Sequence, residues 1–192
     1  EFMFSGTANP QTVKKEEKKE HKALYPLSKT QLGVYIDCMK NPYSTLYNIP
    51  SILTFSKSVD AQKLADCVVK VIKAHPYIMT HLSLENDDIE QAYVDSAKPN
   101  VPVEELTEEQ LEAYKKDFVK PHNLMKAPLF RISVAETEKA VYLLSDFHHL
   151  IFDGASVALF FEQLKTLYEG GNIESESYTY FDYAENEIKA ES

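Results

Sequence analysis

Apolar side chains recur along this chain in two periods, and the alternation between them maps a mixed α/β domain. Between residues 60 and 75, Leu64, Val68, Val71 and Ile72 fall at the spacing of a helix that buries one face, and Pro76 ends it. A second helix follows the N-cap residue Ser28. Its stripe Leu32, Tyr35, Ile36 and Met39 is expected to pack, and Pro42 closes it. Thr107-Glu108-Glu109-Gln110 is a capping box that opens a helix running to about Val119, whose acidic face reads as solvated surface. A further helix carries Val157, Phe160, Phe161, Leu164, Leu167 and Tyr168, with Gly170-Gly171 to end it. Between the helices lie strand patterns. Residues 47–55 are rich in side chains that suit a pleated surface, and Pro50 confines that strand to a start or an edge. Residues 81–95 read as two short strands around a polar tip at Glu85-Asn86-Asp87-Asp88. Residues 129–136 and 140–147, joined by Thr137-Glu138-Lys139, read as an antiparallel pair.

Residues 1–22 stand apart. They hold few large apolar side chains and a mixed charge run, Lys14-Lys15-Glu16-Glu17-Lys18-Lys19-Glu20, so they read as a flexible linker or tag-derived arm. Residues 23–192 are then one domain. The whole chain of 192 residues, 44% hydrophobic and 26% charged, has the composition of an ordinary globular protein with room for a substantial core. A net charge of −10 argues against a nucleic-acid partner, which calls for basic surface. No run is apolar and long enough to span a membrane, and no secretory pattern opens the chain. Cys38 and Cys67 lie in helical patterns outside any metal-ligand spacing, as expected of thiols in a cytoplasmic protein.

Titratable groups concentrate in one stretch, Phe147-His148-His149-Leu150-Ile151-Phe152-Asp153-Gly154, where a strand pattern gives way to a helix. In an extended strand His148 and His149 point to opposite faces, so a two-histidine metal chelate is disfavoured. His149 shares its face with Phe147, Ser145, Leu143 and Val141, and His148 shares its own with Asp146, Leu144 and Tyr142. Parity alone leaves open which imidazole works. Gly154 suits a sharp strand-to-helix turn. Asp153 is either the N-cap of the helix or the buried partner of a cation. Arg131, the one arginine of the chain, lies on the strand expected to neighbour the one leading to His149. Guanidinium suits buried carboxylate contacts, so an Arg131–Asp153 pair is one expectation; a surface arginine on an edge strand is the other.

The run His148-His149-Leu150-Ile151-Phe152-Asp153-Gly154 resembles the HHxxxDG signature of condensation domains of nonribosomal peptide synthetases, in the chloramphenicol-acetyltransferase-like superfamily. Other segments resemble the family's remaining motifs in order. Residues 25–35, with Ser28 and Gln31 in the matching places, resemble the first. Tyr47-Asn48-Ile49-Pro50 resembles the wording that follows it. His75 and Thr80 match the second, although Ala74 and Met79 stand where arginines are usual. Pro128-Leu129-Phe130-Arg131 resembles the strand before the histidine motif, and residues 178–184 resemble a YxDYA element.

The resemblance implies an α/β lobe in which a mixed, mainly antiparallel sheet is packed with helices. It implies further that residues 23–192 are the N-terminal lobe of a two-lobe domain whose C-terminal lobe is absent, leaving the isolated lobe inactive. The implied activity is amide-bond formation between a donor acyl or peptidyl thioester and an acceptor aminoacyl group. Both ride on phosphopantetheine arms of peptidyl carrier proteins, and no cofactor or metal is bound. On this sequence the resemblance gives His149 the catalytic place, as base or as positioner of the amine. His148 and Asp153 become structural, and Gly154 lets the backbone approach the reacting centre. An epimerising lobe of the same superfamily, a noncatalytic carrier-docking lobe and an acyltransferase using coenzyme A thioesters are the alternatives.

Overall fold

The computed structural model describes residues 24–85, 88–94 and 99–190; the arm expected at residues 1–22 and the hairpin tip at residues 86–87 lie outside them. In chain order the elements are β1 (Leu24–Pro26), α1 (Lys29–Lys40), β2 (Asn48–Ser56), α2 (Ala61–Ala74), a 3-10 turn (Pro76–Met79), β3 (Thr80–Glu85), β4 (Asp88–Tyr93), β5 (Val103–Glu105), α3 (Glu108–Phe118), β6 (Phe130–Glu136), β7 (Ala140–His148), α4 (Gly154–Tyr168) and α5 (Tyr180–Lys189). The strands form a three-stranded sheet in the order β1-β4-β3 and a four-stranded sheet in the order β2-β7-β6-β5. All pairings are antiparallel except β5 with β6, a short parallel addition that the sequence pattern does not announce. No described helix is long and apolar enough to cross a membrane.

β7 sits between β2 and β6, hydrogen-bonded along both edges, and both of its faces are covered. Val141, Leu143 and Phe147 are within 1% of complete burial and join the main core with Leu64, Val68, Val71 and Ile72 of α2 and with Phe160 and Leu164 of α4. The α2 stripe is thus buried as its spacing predicts, and Cys67 is a small core residue beside it. On the opposite face Leu144 and Tyr142 pack against Leu111, Tyr114 and Phe118 of α3. β2 is an edge strand, which is where Pro50 costs no ladder bond. α4 ends as its two glycines demand. Gly170 takes φ +89°, its N–H reaches the Leu167 carbonyl at 3.1 Å, and the Gly171 N–H reaches the Thr166 carbonyl at 2.9 Å.

One helix is rotated from its expected orientation. In α1 the residues turned inward are Gln31, Val34, Tyr35 and Cys38, whereas Leu32, Ile36 and Met39 are 40%, 52% and 45% exposed. The physical cause is Gln31, whose amide is needed inside the lobe by buried polar groups and brings its own face of the helix with it. The C-terminal segment, acidic by composition, belongs to the core. Thr179 and Asp182 form a capping box for α5, Phe181 is 1% exposed, and its ring stacks on Tyr25 at 4.1 Å.

The connection from α4 to α5 is tied down by His75. Its Nδ1 lies 3.1 Å from Glu176 Oε2 and its Nε2 lies 2.6 Å from Gln163 Oε1. Acceptors at both ring nitrogens favour the imidazolium, and the bond to Glu176 chiefly raises the His75 pKa above its usual value. A raised folded-state pKa gives stability that is complete below the unfolded value of about 6.5 and is lost as pH rises through the folded value. The urea midpoint of this chain is therefore expected to carry a downward step above about pH 6.5. That step should be missing in His75→Gln; an unchanged pH profile in the variant would refute the assignment.

Candidate functional site

The histidine stretch is built by the end of β7 and the turn into α4. His148 is the last residue of the strand, opposite Asn48 of β2, and is 4% exposed. Phe147 and Phe152 bracket the turn: their rings stack at 4.0 Å and 3°, with Phe160 edge-on to Phe147 at 5.3 Å. This pairing folds the chain back on itself, so the residues between the two rings form a tight loop. His149 is the exposed residue of that loop. The two imidazoles go separate ways, one inward and one outward, and among the described residues no three ligating side chains gather as a metal site.

His148 faces a polar layer under α1. Its Nδ1 accepts the Leu150 N–H at 3.1 Å, which puts the ring proton on Nε2, 3.9 Å from Cys38 Sγ. The His122 ring stands edge-on at 5.7 Å. Burial first, then the neighbouring imidazoles, lower the His148 pKa to about 4, so this ring is neutral at pH 7 and serves the structure as an acceptor. A cavity of about 570 Å³ opens beside it, with Cys38, Tyr47, His122 and Met125 among its walls.

Arg131 is found on β6, next to β7 as the strand pattern predicts, but its partner is Asp146 and not Asp153. The two are direct cross-strand neighbours, and Arg131 Nη1 donates to Asp146 Oδ2 at 2.8 Å. Asp146 is fully buried, and the same oxygen accepts from Asn48 Nδ2 at 2.8 Å. Arg131 also donates to the carbonyls of Lys120 and Pro121 at 2.7 and 2.8 Å and lies 3.0 Å from His122 Nε2. The guanidinium thus stitches the loop after α3 to the sheet and presents His122 to His148. Cross-strand register decides the choice, because Asp146 stands opposite Arg131 while Asp153 lies past the turn on another element.

Asp153 takes the first of its two expected roles. It is the N-cap of α4, its Oδ1 accepting both the N–H and the hydroxyl of Ser156 at 2.7 Å, and among the described residues it has no salt bridge. Those two bonds, more than the nearby His149, hold its carboxyl below the usual range. Gly154 is the first residue of α4, without left-handed backbone, and a Cβ there would meet nothing within 4 Å. Within this lobe neither φ nor space requires glycine at that position, contrary to the turn expected there. The arginine positions of the second motif, Ala74 and Met79, are buried apolar residues at 7% and 6% exposure, so no ion pair is built there.

The exposed imidazole is held by its backbone. The His149 N–H donates to the Tyr47 carbonyl at 2.8 Å, and the Tyr47 ring stands edge-on to the imidazole at 6.3 Å. The next residue, Leu150, gives its carbonyl to Gln31 Nε2 at 3.2 Å and to the Tyr77 hydroxyl at 3.3 Å. Among the described residues no side chain hydrogen-bonds the His149 ring, which leaves an exposed nitrogen able to accept a proton from outside the lobe. His122 and Gln91 carry no motif signal, and Asn48 and Tyr77 lie within motif resemblances that give them no role of their own. Asp146 gave a signal, its place on the same strand face as His148.

An exposed histidine thus follows the end of a central strand, on an α/β lobe of two mainly antiparallel sheets. The condensation-domain family profile matches residues 21–192, and the chain belongs to that family. It is 30% identical over 166 residues to surfactin synthase subunit 1 of Bacillus subtilis (strain 168), covering 86% of this chain and 5% of that protein. It is also 30% identical over 171 residues to bacitracin synthase 1 of Bacillus licheniformis, covering 88% of this chain and 3% of that protein. In fold it resembles the starter condensation domain of rhizomide synthetase (TM-score 0.76, 19% identity), covering 88% of this chain and 44% of that one. It resembles the condensation domain from Monacolin K polyketide synthase likewise (TM-score 0.77, 20% identity), covering 88% of this chain and 39% of that one. The chain therefore spans a small fraction of the curated relatives it matches and less than half of these solved domains.

Two stability measurements check the buried layer. Arg131→Met leaves the Asp146 carboxylate buried without its cation and is expected to cost on the order of 3 kcal/mol in urea unfolding; an unchanged midpoint would show that the pair contributes nothing. His148 has a lowered folded pKa, so its contribution is complete above about 6.5 and is lost as pH falls toward about 4. The loss over that window is on the order of 3 kcal/mol, and a His148 ring that titrates near 6.5 by NMR would contradict its burial.

Proposed function

We propose that this chain is the N-terminal lobe of a condensation domain that forms amide bonds during nonribosomal peptide synthesis, with His149 as its working side chain. The observation that carries the reading is the division of labour within one dipeptide. His148 is buried, neutral and hydrogen-bonded to the turn, while His149 is exposed with its backbone held. A second, C-terminal lobe completes the cleft in this reading, in keeping with a chain that covers 44% and 39% of the solved domains it resembles. The lobe alone has no walls to exclude water or to align two substrates, and is inactive.

The reaction joins an acceptor amine to a donor thioester, each delivered on the phosphopantetheine arm of a peptidyl carrier protein. The amine nitrogen bonds to the thioester carbonyl carbon, the carbon–sulfur bond breaks, and the donor arm leaves as a thiol. The imidazole of His149 accepts a hydrogen bond from the attacking amine and takes its proton, which is then available to the departing sulfur. A thioester is already activated, so no metal or resident cofactor is called for. General-base help of this kind is worth about 10²–10⁴-fold. Alignment of two tethered reactants contributes on the order of 7–11 kcal/mol. Orientation is thus the larger share, and a well-placed His149 matters as much for where it holds the amine as for the proton it takes.

In the complete two-lobe domain with donor and acceptor carriers loaded, His149→Ala is expected to lower the rate of amide formation by about 10²–10⁴-fold. Single-turnover assays of product on the acceptor carrier measure it, and a variant as fast as the parent would sink the reading. His148→Ala should instead act through folding, with loss of rate in proportion to loss of folded protein. An epimerised acceptor in place of a new amide would identify the other activity of this superfamily.

A further inference from the structure

Three consecutive peptide groups around His149 are each committed to a named partner, and the last of them reaches far across the lobe. The His149 N–H goes to Tyr47, the Leu150 N–H goes to His148 Nδ1, and the Leu150 carbonyl is held by Gln31 and Tyr77. Gln31 lies in the first turn of α1, where its Oε1 completes the capping box by accepting the Ser28 N–H at 2.9 Å. That task needs only an acceptor, and glutamate does it as well as glutamine. The amide nitrogen is what the cap leaves unexplained. Gln31 is 3% exposed, and the two hydrogens of its Nε2 face three acceptors, the Tyr77 hydroxyl at 2.7 Å, Gln91 Oε1 at 2.7 Å and, through a shared hydrogen, the Leu150 carbonyl at 3.2 Å.

The surrounding polar groups fix which atoms donate. Gln91 spends its own Nε2 on the Pro26 carbonyl at 2.7 Å, leaving its oxygen toward Gln31. Tyr77, accepting from Gln31, has a single hydrogen to give, and the Leu150 carbonyl at 3.3 Å takes it. Ser28 Oγ meets the Tyr180 hydroxyl at 3.0 Å, so α5 closes over the same cluster. Buried amide and hydroxyl groups of this kind hold a unique arrangement, because an unmade bond leaves a desolvated polar atom. The Leu150 carbonyl and the Leu150 N–H are therefore restrained by different parts of the lobe.

We propose that Gln31, acting with Tyr77, is a positioning residue for His149: by holding the Leu150 carbonyl it fixes the Leu150–Ile151 peptide plane and, through Leu150, the neighbouring plane that orients the exposed imidazole. This inference rests on the reading of His149 given above. Removing the amide donor frees that plane to rotate and displaces the imidazole relative to the amine. A displacement of about 1 Å at a reacting group costs on the order of 10²-fold in rate.

Gln31→Glu keeps the capping acceptor and deletes the amide hydrogens; Tyr77→Phe deletes one hydroxyl and serves where the buried carboxyl of the first variant prevents folding. In this chain, hydrogen exchange at the Ile151 amide, which shares a peptide plane with the Leu150 carbonyl and donates to the His148 carbonyl at 3.0 Å, should quicken by about tenfold or more in either folded variant, while the amides of the first α1 turn keep their protection. The ring resonances of His149 should shift with it. In the complete domain, kcat for condensation should fall by about 10- to 100-fold with KM for the loaded carriers within about twofold. Unaltered Ile151 exchange and His149 resonances overturn the proposal. So does a loosened Ile151 amide with kcat within about twofold of the parent, where His149→Ala by itself disables the same domain. A His149→Ala domain that remains active overturns the reading of the site itself, and this inference falls with it.

Discussion

β7 is paired on both edges and covered on both faces, and that confinement governs what its last residues can do. A strand with solvent on neither face sends successive side chains into two different interiors. Phe147 goes to the core shared with α2 and α4, and Asp146 and His148 go to the layer beneath α1 and the loop after α3. Apart from the half-buried Tyr142 every residue of β7 is buried, and His149, just past the strand, is the first exposed one. The difference between two adjacent histidines is a consequence of where the ladder stops, since the side chains themselves are identical.

The interior polar groups serve that geometry more than they add to stability. An ion pair with one buried member, such as half-buried Arg131 on buried Asp146, gives little net stabilisation over an apolar pair, but it punishes any other arrangement of the same groups. Here the arrangement ties three pieces of chain that are remote in sequence: β6, β7 and the loop carrying His122. Gln31 does the same for α1, the 3-10 turn, β4 and the histidine turn. Both groups meet at His148 or the residue after His149. The turn is thus braced from each side by polar contacts whose loss would leave desolvated atoms.

Among the described residues Asp153 has no salt bridge and spends its oxygen on the N-terminus of α4. Such a cap contributes about 1 kcal/mol, and it orients the helix without bridging to another element. Long-range fixation of the turn has to come from elsewhere, and in this chain it comes from hydrogen bonds to the backbone of His149 and Leu150.

Local periodicity by itself determined much of this protein. The α2 stripe, the edge position of Pro50, the antiparallel pairing of β6 with β7, the three-residue hairpin between them and the glycine end of α4 all follow from interactions within a few residues along the chain. The order of short motifs was enough to place the chain in its family. What the pattern could not contain was any choice among distant partners of similar chemistry. Arg131 could have met Asp153 or water, and cross-strand register gave it Asp146. The Leu32, Ile36 and Met39 stripe looked like a packing face, yet α1 turned Gln31 inward, because buried acceptors on three other elements needed its amide. Parity separated the two histidines without ranking them. Burial ranked them, and burial is a property of the assembled sheet, fixed only when helices and loops from the rest of the chain close over one ring and leave the other open.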